Sequence, residues 1–288
     1  MEEPLRAHSS PQLGVPGVTA GASPTRTGPA GVPSRWIVGI RIDGVTMQQA
    51  VDQIARWAQE GQTRYISVAT IHLTMEAHDD PAVRDIVNSS DMVIPDGMPM
   101  VWALRCLGVR GQQRVCGADL TPALCDRAET DGIAVGVYGL TQDAMAKLLE
   151  VCRRRWPRLN VAYAFSPPFH ELGAIDERRI AADMANSGAR LIFVGLGGPK
   201  QERWTARQVG LVPGVLLPVG AALDVLAGTK SRPPRWAQRH GLEWLHRLAT
   251  EPRRLWFRYL YHNPRWLGLF VRQIWLEGRH GGTAGPQL

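Results

Sequence analysis

Apolar positions along this chain alternate between short continuous runs and helical spacing. The runs RYISVAT (64–70) and GIAVGVYGL (132–140) are short and rich in β-branched residues, a pattern typical of buried strands. The second run leads into TQDAMAKLLEVCRRRWP (141–157), in which Thr141 suits the N-cap of a helix and Asp143 suits its first turn. A strand followed by a helix is the beginning of a βαβ unit.

The same alternation continues along the middle of the chain. It recurs in DDPAVRDIVNSSDMVIPDG (79–97), LNVAYAFSPPF (159–169), IDERRIAADMANSG (175–188), ARLIFVGLGGPKQERW (189–204) and GVLLPVGAALDVLAG (214–228). Strands joined by long helices predict an α/β fold, a Rossmann-like parallel sheet covered by helices on both faces. Ligands of such sheets bind beyond the carboxyl ends of the strands, so the loops that follow strands are the candidate site.

Composition divides the 288 residues into four parts. Residues 1–34 are rich in Pro, Gly, Ser, Thr and Ala and lack the apolar stretch of a signal peptide, so a disordered leader is predicted. An α/β core is predicted for 35–229, a basic helical appendage that associates with a membrane for 230–280, and a disordered tail for 281–288. No window approaches 18 uncharged apolar residues, so no transmembrane helix is expected.

Positive charge is concentrated near the C-terminus. The formal net charge is +7, and residues 230–280 hold eleven Lys or Arg against three Glu, together with five of the ten tryptophans. Arginine interleaved with tryptophan suits an anionic membrane surface, whereas a helix packed on the core is the alternative. Apolar stripes there also suit a subunit interface and hence a homo-oligomer. No helix-turn-helix, RRM or KH signature is present, so nucleic acid is not an expected partner.

The remaining chemistry-bearing residues give mixed signals. The four cysteines show no C-x-x-C spacing, which predicts reduced thiols in a cytoplasmic protein. His72, His170 and His240 are scattered without metal-ligand spacing, so no metal site is predicted. No G-x-S-x-G occurs, which argues against an α/β-hydrolase.

Glycines after two predicted strands indicate a nucleotide site. In VGLGGPKQE (194–202), Gly195 and Gly197 allow close backbone approach to a ligand, and the following helix N-terminus suits a phosphate. The loop is neither a Walker loop nor G-x-G-x-x-G, and a tight strand-to-helix turn is the alternative. Gly139 in VYGLTQD is a weaker signal of the same kind. Asp224 in GAALDVLAG suits either a ribose hydroxyl or the N-terminal turn of a helix.

Asp96 lies in VIPDGMP, at the end of an apolar run. Pro-Asp-Gly is a strong turn former, so an ordinary turn is one interpretation. A rigidly placed carboxylate beyond a strand end is the other, and it suits a general base.

Six motifs in order resemble the WecG/TagA/CpsF family of bacterial glycosyltransferases, over about residues 37–273. They are VIPDGMPMVW, RVCGADL, SPPF, ANSGARLIFVGLGGPKQERW, PVGAALDVLAGT and RPPRWAQRHGLEWLHRLATEPRRLWFRYL. The resemblance implies a basic C-terminal appendage that helps complete the site and touches the membrane. It also implies transfer of an N-acetylmannosamine-type or other hexose unit from a UDP-sugar to a polyprenyl-diphosphate-linked sugar, without a metal or other cofactor, in the synthesis of teichoic acids or exopolysaccharides.

The resemblance also implies roles for individual residues. Asp96 matches the proposed catalytic base. Thr70 matches an active-site threonine in a TPN-like loop, and His72 stands where many members have Asn. The other matches are the substrate-binding Arg114, Gln201, Arg247 and Arg254, and Asp224 near the nucleotide.

These matches predict an inverting transfer on the inner face of the plasma membrane. Asp96 would take the acceptor hydroxyl proton, while arginines and helix N-termini offset the charge of the departing nucleoside diphosphate. UDP-N-acetylmannosamine, its uronic acid and UDP-glucose all fit as donors. Two rivals are a non-catalytic nucleotide- or nucleic-acid-binding protein with a basic tail, and a dinucleotide-dependent oxidoreductase, which the absence of G-x-G-x-x-G disfavours.

Overall fold

The computed structural model describes residues 28–61, 63–168 and 173–279. Residues 1–27 of the predicted leader, the predicted tail 281–288 and His170 lie outside the described residues.

Eight strands and twelve helices are formed in the described residues. The strands are β1 (Ser34–Ile37), β2 (Ile40–Asp43), β3 (Arg64–Ala69), β4 (Met92–Pro95), β5 (Val135–Gly139), β6 (Val161–Phe165), β7 (Leu191–Gly195) and β8 (Val215–Pro218). The helices are α1 (Met47–Glu60), α2 (Ile71–Asp79), α3 (Pro81–Asn88), α4 (Met98–Cys106), α5 (Gly117–Asp131), α6 (Gln142–Arg155), α7 (Ala174–Asn186), α8 (Lys200–Arg207), α9 (Ala222–Leu226), α10 (Arg235–Arg239), α11 (Glu243–Thr250) and α12 (Pro252–Arg279).

The central feature is a six-stranded sheet in the order β4-β3-β8-β7-β5-β6. All its described neighbours pair in parallel, and β1 with β2 forms a separate antiparallel hairpin. Helices cover both faces, so the predicted Rossmann-like α/β fold is confirmed. Because parallel strands run the same way, the loops after β3, β4, β7 and β8 all meet at one edge.

Successive side chains of the inner strands point to opposite faces of the sheet, and both sets are buried under helices. On β7, Leu191 and Phe193 pack into one apolar cluster with α1, α5 and α6, whereas Ile192 and Val194 pack with α7 and α8 on the opposite face. Burying one such side chain is worth about 1.5–3 kcal/mol. The strands therefore read as continuous apolar runs, as expected for a sheet buried on both sides.

Threonine caps set where the helices begin after the strands. The hydroxyl of Thr141 accepts from Ala144 N, which confirms the predicted start of α6. Thr70 caps α2 in the same way, accepting from Leu73 N, so this residue stands between the end of β3 and a helix. The sequence interpretation did not identify the β1–β2 hairpin or helices α1, α2, α4 and α5, and it assigned the region of α9 to a loop. Helix α5 contains Pro122 and lacks a side-chain N-cap, so its local signals are weak.

Helix α12 is 28 residues long and packs across the core at α2. His262, Trp266 and Phe270 are spaced four apart and are buried on one side of the helix. Gln273 extends the contact between α12 and the β1–β2 hairpin. Its Oε1 accepts from Val38 N at 2.9 Å, and its Nε2 donates to Trp36 O at 2.7 Å. Among the described residues, no helix combines the length and apolarity that crossing a bilayer needs.

Candidate functional site

A cleft of about 420 Å³ opens at the carboxyl edge of the sheet, beyond β3, β4, β7 and β8. Its lining includes six of the residues singled out in the sequence: Thr70, His72, Asp96, Gly197, Gln201 and Arg247. The strand-end loops form its floor, and residues 229–259 close its other side. Its volume lies in the range of small-molecule clefts in proteins.

Asp96 is a half-buried carboxylate on the floor of the cleft. Its backbone N–H donates to Ala69 O at 2.9 Å, which ties the loop after β4 to the end of β3. Burial raises the pKa of Asp96, although Arg247, Arg114 and a hydrogen bond from the Gly117 backbone act in the opposite direction. The carboxylate is therefore held rigidly and is more basic than an exposed aspartate.

The glycine loop after β7 forms a second part of the wall. Gln201 Oε1 accepts from Gly197 N at 3.2 Å, and its amide nitrogen donates to Pro218 O at 3.1 Å and to Glu202 Oε1 at 3.0 Å. This amide therefore links the ends of β7 and β8. Glu202 is only 3% exposed, its Oε2 has no hydrogen-bond partner among the described atoms, and burial raises its pKa.

The C-terminal segment contributes the positive charge at the cleft. Arg247 on α11 lines the cleft, and its charge acts on Asp96. Within the described part of the chain, no ion pair engages its guanidinium. Lys230 also lines the cleft, 3.5 Å from Glu251 and 3.9 Å from Asp224.

Arg114 lies beside the cleft instead of lining it. Its guanidinium contacts Glu243, bonds Gln238 Oε1 at 2.9 Å and reaches Asp119 Oδ2 at 3.2 Å. It lines an adjoining cavity of about 520 Å³. In this arrangement Arg114 joins the core to α10 and α11, and it influences Asp96 through its charge.

Three predicted nucleotide-binding residues also lie outside the cleft lining. Gly139 and Gly195 face each other, because a Cβ on Gly139 would come within 2.6 Å of the Gly195 carbonyl group. Their small size thus permits two strand ends to approach, as in the tight-turn interpretation. Asp224 lies in the first turn of α9 and accepts from the Thr229 hydroxyl at 3.3 Å. The backbone of Arg254 lies in α12, and its side chain is outside the described residues.

One side of the cleft carries a cluster that the sequence did not indicate. His72 and Glu76 lie one turn apart on α2, with His72 Nδ1 3.6 Å from Glu76 Oε1. The His262 ring from α12 stands edge-on to the His72 ring, with centroids 5.4 Å apart. Burial lowers the pKa of His72 to about 3, aided by the charges of Arg258 and His262. The scattered positions of the histidines in the sequence suggested that His72 is isolated, but the fold brings Glu76 and His262 next to it.

Several other cleft residues were missed by sequence reasoning. They are Glu76, Glu202, Lys230, Arg232, Glu243, Arg258 and Tyr259. Glu202 had a usable signal, because an acid in the first turn after a strand-end glycine loop must face the ligand edge of the sheet. Glu76 lies one turn after His72 on α2, a helix that the sequence interpretation did not identify. The others gave no signal, since their positions depend on how the chain after α9 folds back over the core.

Comparisons with known proteins show which family the chain resembles. A model of the glycosyl transferase WecG/TagA/CpsF family matches residues 35–280. A Bacillus spizizenii protein named N-acetylglucosaminyldiphosphoundecaprenol N-acetyl-beta-D-mannosaminyltransferase is 30% identical over 205 residues, covering 71% of this chain and 77% of that protein. A Bacillus subtilis protein of the same name is 29% identical over 196 residues, covering 68% and 74%.

Proposed function

Because the chain belongs to the WecG/TagA/CpsF family of glycosyltransferases, we propose that it transfers an N-acetylmannosamine-type or other hexose unit from a UDP-sugar. The acceptor in this proposal is a sugar carried on polyprenyl diphosphate, the class of molecule named in the two Bacillus relatives. Because the family consists of glycosyltransferases, the chain is an enzyme, and the alternative of a non-catalytic binding protein is disfavoured. The product would enter cell-surface polysaccharide synthesis.

The observation that carries this proposal is the position of Asp96. A sugar hydroxyl is a weak nucleophile and needs a base as it attacks the anomeric carbon. Asp96 offers a half-buried carboxylate of raised pKa on the floor of the cleft. Direct attack by the deprotonating hydroxyl on the face opposite the leaving group inverts the anomeric centre. We therefore propose an inverting transfer with Asp96 as the base.

The leaving nucleoside diphosphate would meet the positive side chains of the cleft. Arg247 lines the cleft, and no ion pair among the described residues engages it, so its guanidinium is suited to two phosphate oxygens. Lys230 supplies a second charge, and Arg254 is proposed as a third on the basis of its motif. In this proposal, these side chains offset the growing charge, and no metal ion takes part in the bond-breaking step.

The sugar and the nucleoside would contact the strand-end side of the cleft. Thr70, His72 and Gln201 present polar groups there, and Gly197 leaves room for close approach of a ligand to the backbone. Arg114 would act from the adjoining cavity, by joining α11 to the core and so placing Arg247. The nucleotide would not touch Gly139, Gly195 or Asp224 directly. In this proposal they shape the strand ends that lie below the nucleotide.

The apolar outer face of α12 supports a peripheral position on an anionic membrane, at the inner face of the plasma membrane. Trp256 is 54% exposed, Phe257 55% and Leu260 60%, in a helix rich in arginine. Indole rings at headgroup level and arginines on lipid phosphate would place the cleft near a lipid-linked acceptor. Each arginine near the anionic surface would add about 1 kcal/mol to the free energy of membrane binding.

Liposome flotation tests the membrane proposal. Replacing Trp256 and Phe257 by Ser should prevent flotation with anionic vesicles. The control Ile175→Ser removes an exposed apolar side chain from α7, outside the C-terminal segment, and should float as the wild type does. If the double variant floats like the wild type but changes from oligomer to monomer in light scattering, the face is a subunit interface.

A donor screen tests the function itself. The full-length protein is incubated with a panel of UDP-sugars and a short-chain polyprenyl-diphosphate N-acetylglucosamine, and the product mass is read. We expect one donor to add one sugar unit, with inverted anomeric configuration by NMR. Absence of product with every donor, in a folded preparation, would refute the proposal.

A further inference from the structure

We propose that His72, Glu76 and His262 bind a divalent transition-metal ion of the zinc class, which clamps α12 onto α2 at the wall of the cleft. Two imidazoles and one carboxylate are a donor set typical of protein zinc sites. One ligand atom from each of the three residues lies within 4.8 Å of the others. The ion takes no part in the transfer step proposed above, and His72 is the one residue that both sites share. The test therefore changes His262 or Glu76, so that either proposal can fail without the other.

Geometry supports a single ion between these groups. His72 and Glu76 have the i, i+4 spacing that places two ligands on one face of a helix. Two ligands bound tetrahedrally at Zn–N and Zn–O lengths of 2.0–2.1 Å are separated by about 3.4 Å. The observed distance from His72 Nδ1 to Glu76 Oε1 is 3.6 Å. The separations to His262 lie within 4.8 Å, so side-chain rotations that shorten them would complete the site.

Unsatisfied buried atoms provide an independent reason. The Nδ1 atoms of both His72 and His262 are buried without a hydrogen-bond partner among the described atoms. His262 is only 8% exposed, so its ring is fixed against the core. Buried polar atoms are normally paired, and a cation would satisfy both nitrogens at once.

The charges around the cluster are also consistent with a cation. The Glu76 carboxylate acts to raise the pKa of the buried Glu202, so the two carboxylates lie close enough to repel each other. A divalent ion would relieve this repulsion. Arg258 opposes binding, since its positive charge reaches His72, His262 and Glu202, while Asp79 and Arg265 act on His262 with opposite signs.

The clamp gives the ion a defined role. His72 and Glu76 belong to α2, directly after β3, whereas His262 comes from the long C-terminal helix. Binding would therefore join the floor of the cleft to the segment that carries the basic residues.

Metal titration of tag-free protein tests the site. After treatment with a chelator, the wild type should bind about one Zn²⁺ per chain in calorimetry, and Co²⁺ should give the visible bands of a tetrahedral ion. His262→Gln should weaken Zn²⁺ binding at least about tenfold. His240→Gln, at an exposed histidine of the C-terminal segment, is the matched control and should bind as the wild type does.

Hydrogen exchange supplies the second measurement. Zn²⁺ should slow amide exchange in α12 of the wild type and of His240→Gln, but not of His262→Gln. If His262→Gln is misfolded by near-ultraviolet circular dichroism, Glu76→Gln takes its place in both measurements. Equal Zn²⁺ affinity in wild type and cluster variant, loss of binding in His240→Gln alone, or no protection of α12 would overturn the proposal.

Discussion

The floor and the roof of the cleft are held in place by different kinds of interaction. The floor belongs to a sheet whose strand residues, such as Val93 and Leu217, are fully buried in large apolar clusters. The roof comes from α10, α11 and α12, and none of the described side chains of α11 is buried. Helix α11 is attached to the core by polar contacts, such as that of Arg114 with Glu243, whereas α12 is also anchored by the buried rings of Trp266 and Phe270.

This difference separates two tasks of the proposed enzyme. Asp96 must be placed accurately, so it stands on the rigid sheet. Arg247 must meet a large ligand and then release it, and it stands on α11, which has no buried side chain among those described and is joined to the core through the half-buried pair of Arg114 with Glu243. We infer that the roof opens and closes more readily than the floor deforms.

The largest expected effect concerns the floor. Asp96→Asn should lower turnover about 10²–10⁴-fold, the usual contribution of a general base, because an amide cannot accept the hydroxyl proton. The dissociation constant for UDP should stay within about twofold, since the variant keeps the shape of the floor. Steady-state kinetics and calorimetry measure the two quantities. Equal losses in both would show that Asp96 serves binding and not proton transfer.

The attachment of the roof gives the next largest effect. Trp266→Ala removes a buried ring between α12 and the core, and we expect a loss of about 3–5 kcal/mol in local stability. Limited proteolysis should then cut α12 while the sheet stays intact. Trp256→Ala, at an exposed tryptophan of the same helix, is the control and should leave the cleavage rate nearly unchanged. Cleavage of the whole chain at once would show that floor and roof unfold together.

A smaller effect is expected from a single charge of the roof. Arg247→Ala should weaken UDP binding about 10–100-fold, the value of one or two charge-assisted hydrogen bonds. Arg272→Ala removes an exposed arginine of α12 that does not line the cleft, and it should bind UDP as the wild type does. If the two variants weaken binding equally, the roof acts through its overall charge and not through a phosphate contact.

The smallest effect is on stability against pH. The pKa of Asp96 is raised by burial, so the folded protein holds this proton more tightly than the unfolded chain does. Ionisation of Asp96 therefore lowers the free energy of unfolding as pH rises above about 3.9, the pKa of an aspartate in the unfolded chain. The melting temperature of Asp96→Asn minus that of the wild type should thus increase from about pH 4 to pH 8. Glu150→Gln, at an exposed position on α6, should show no such trend; a trend of opposite sign for Asp96→Asn would contradict the cause given.

The sequence by itself determined the sheet and the floor of the cleft. Continuous apolar runs at strand length specify a buried parallel sheet. Thr70 and Asp96 follow β3 and β4 directly, and Gln201 begins the helix after β7, so local order placed all three at the ligand edge. The motifs likewise identified the family before any contact was known.

Only the tertiary structure decided what faces the floor. The approach of His262 to His72, the pairing of Arg114 with Glu243, and the position of Arg247 near Asp96 join residues more than 120 positions apart. No periodicity records such contacts, because they depend on how a long helix folds back across the core. The packing of Gly139 against Gly195 was likewise not visible in the sequence. Their sequence context suits a phosphate loop, whereas in the structure their small size lets two strand ends approach each other.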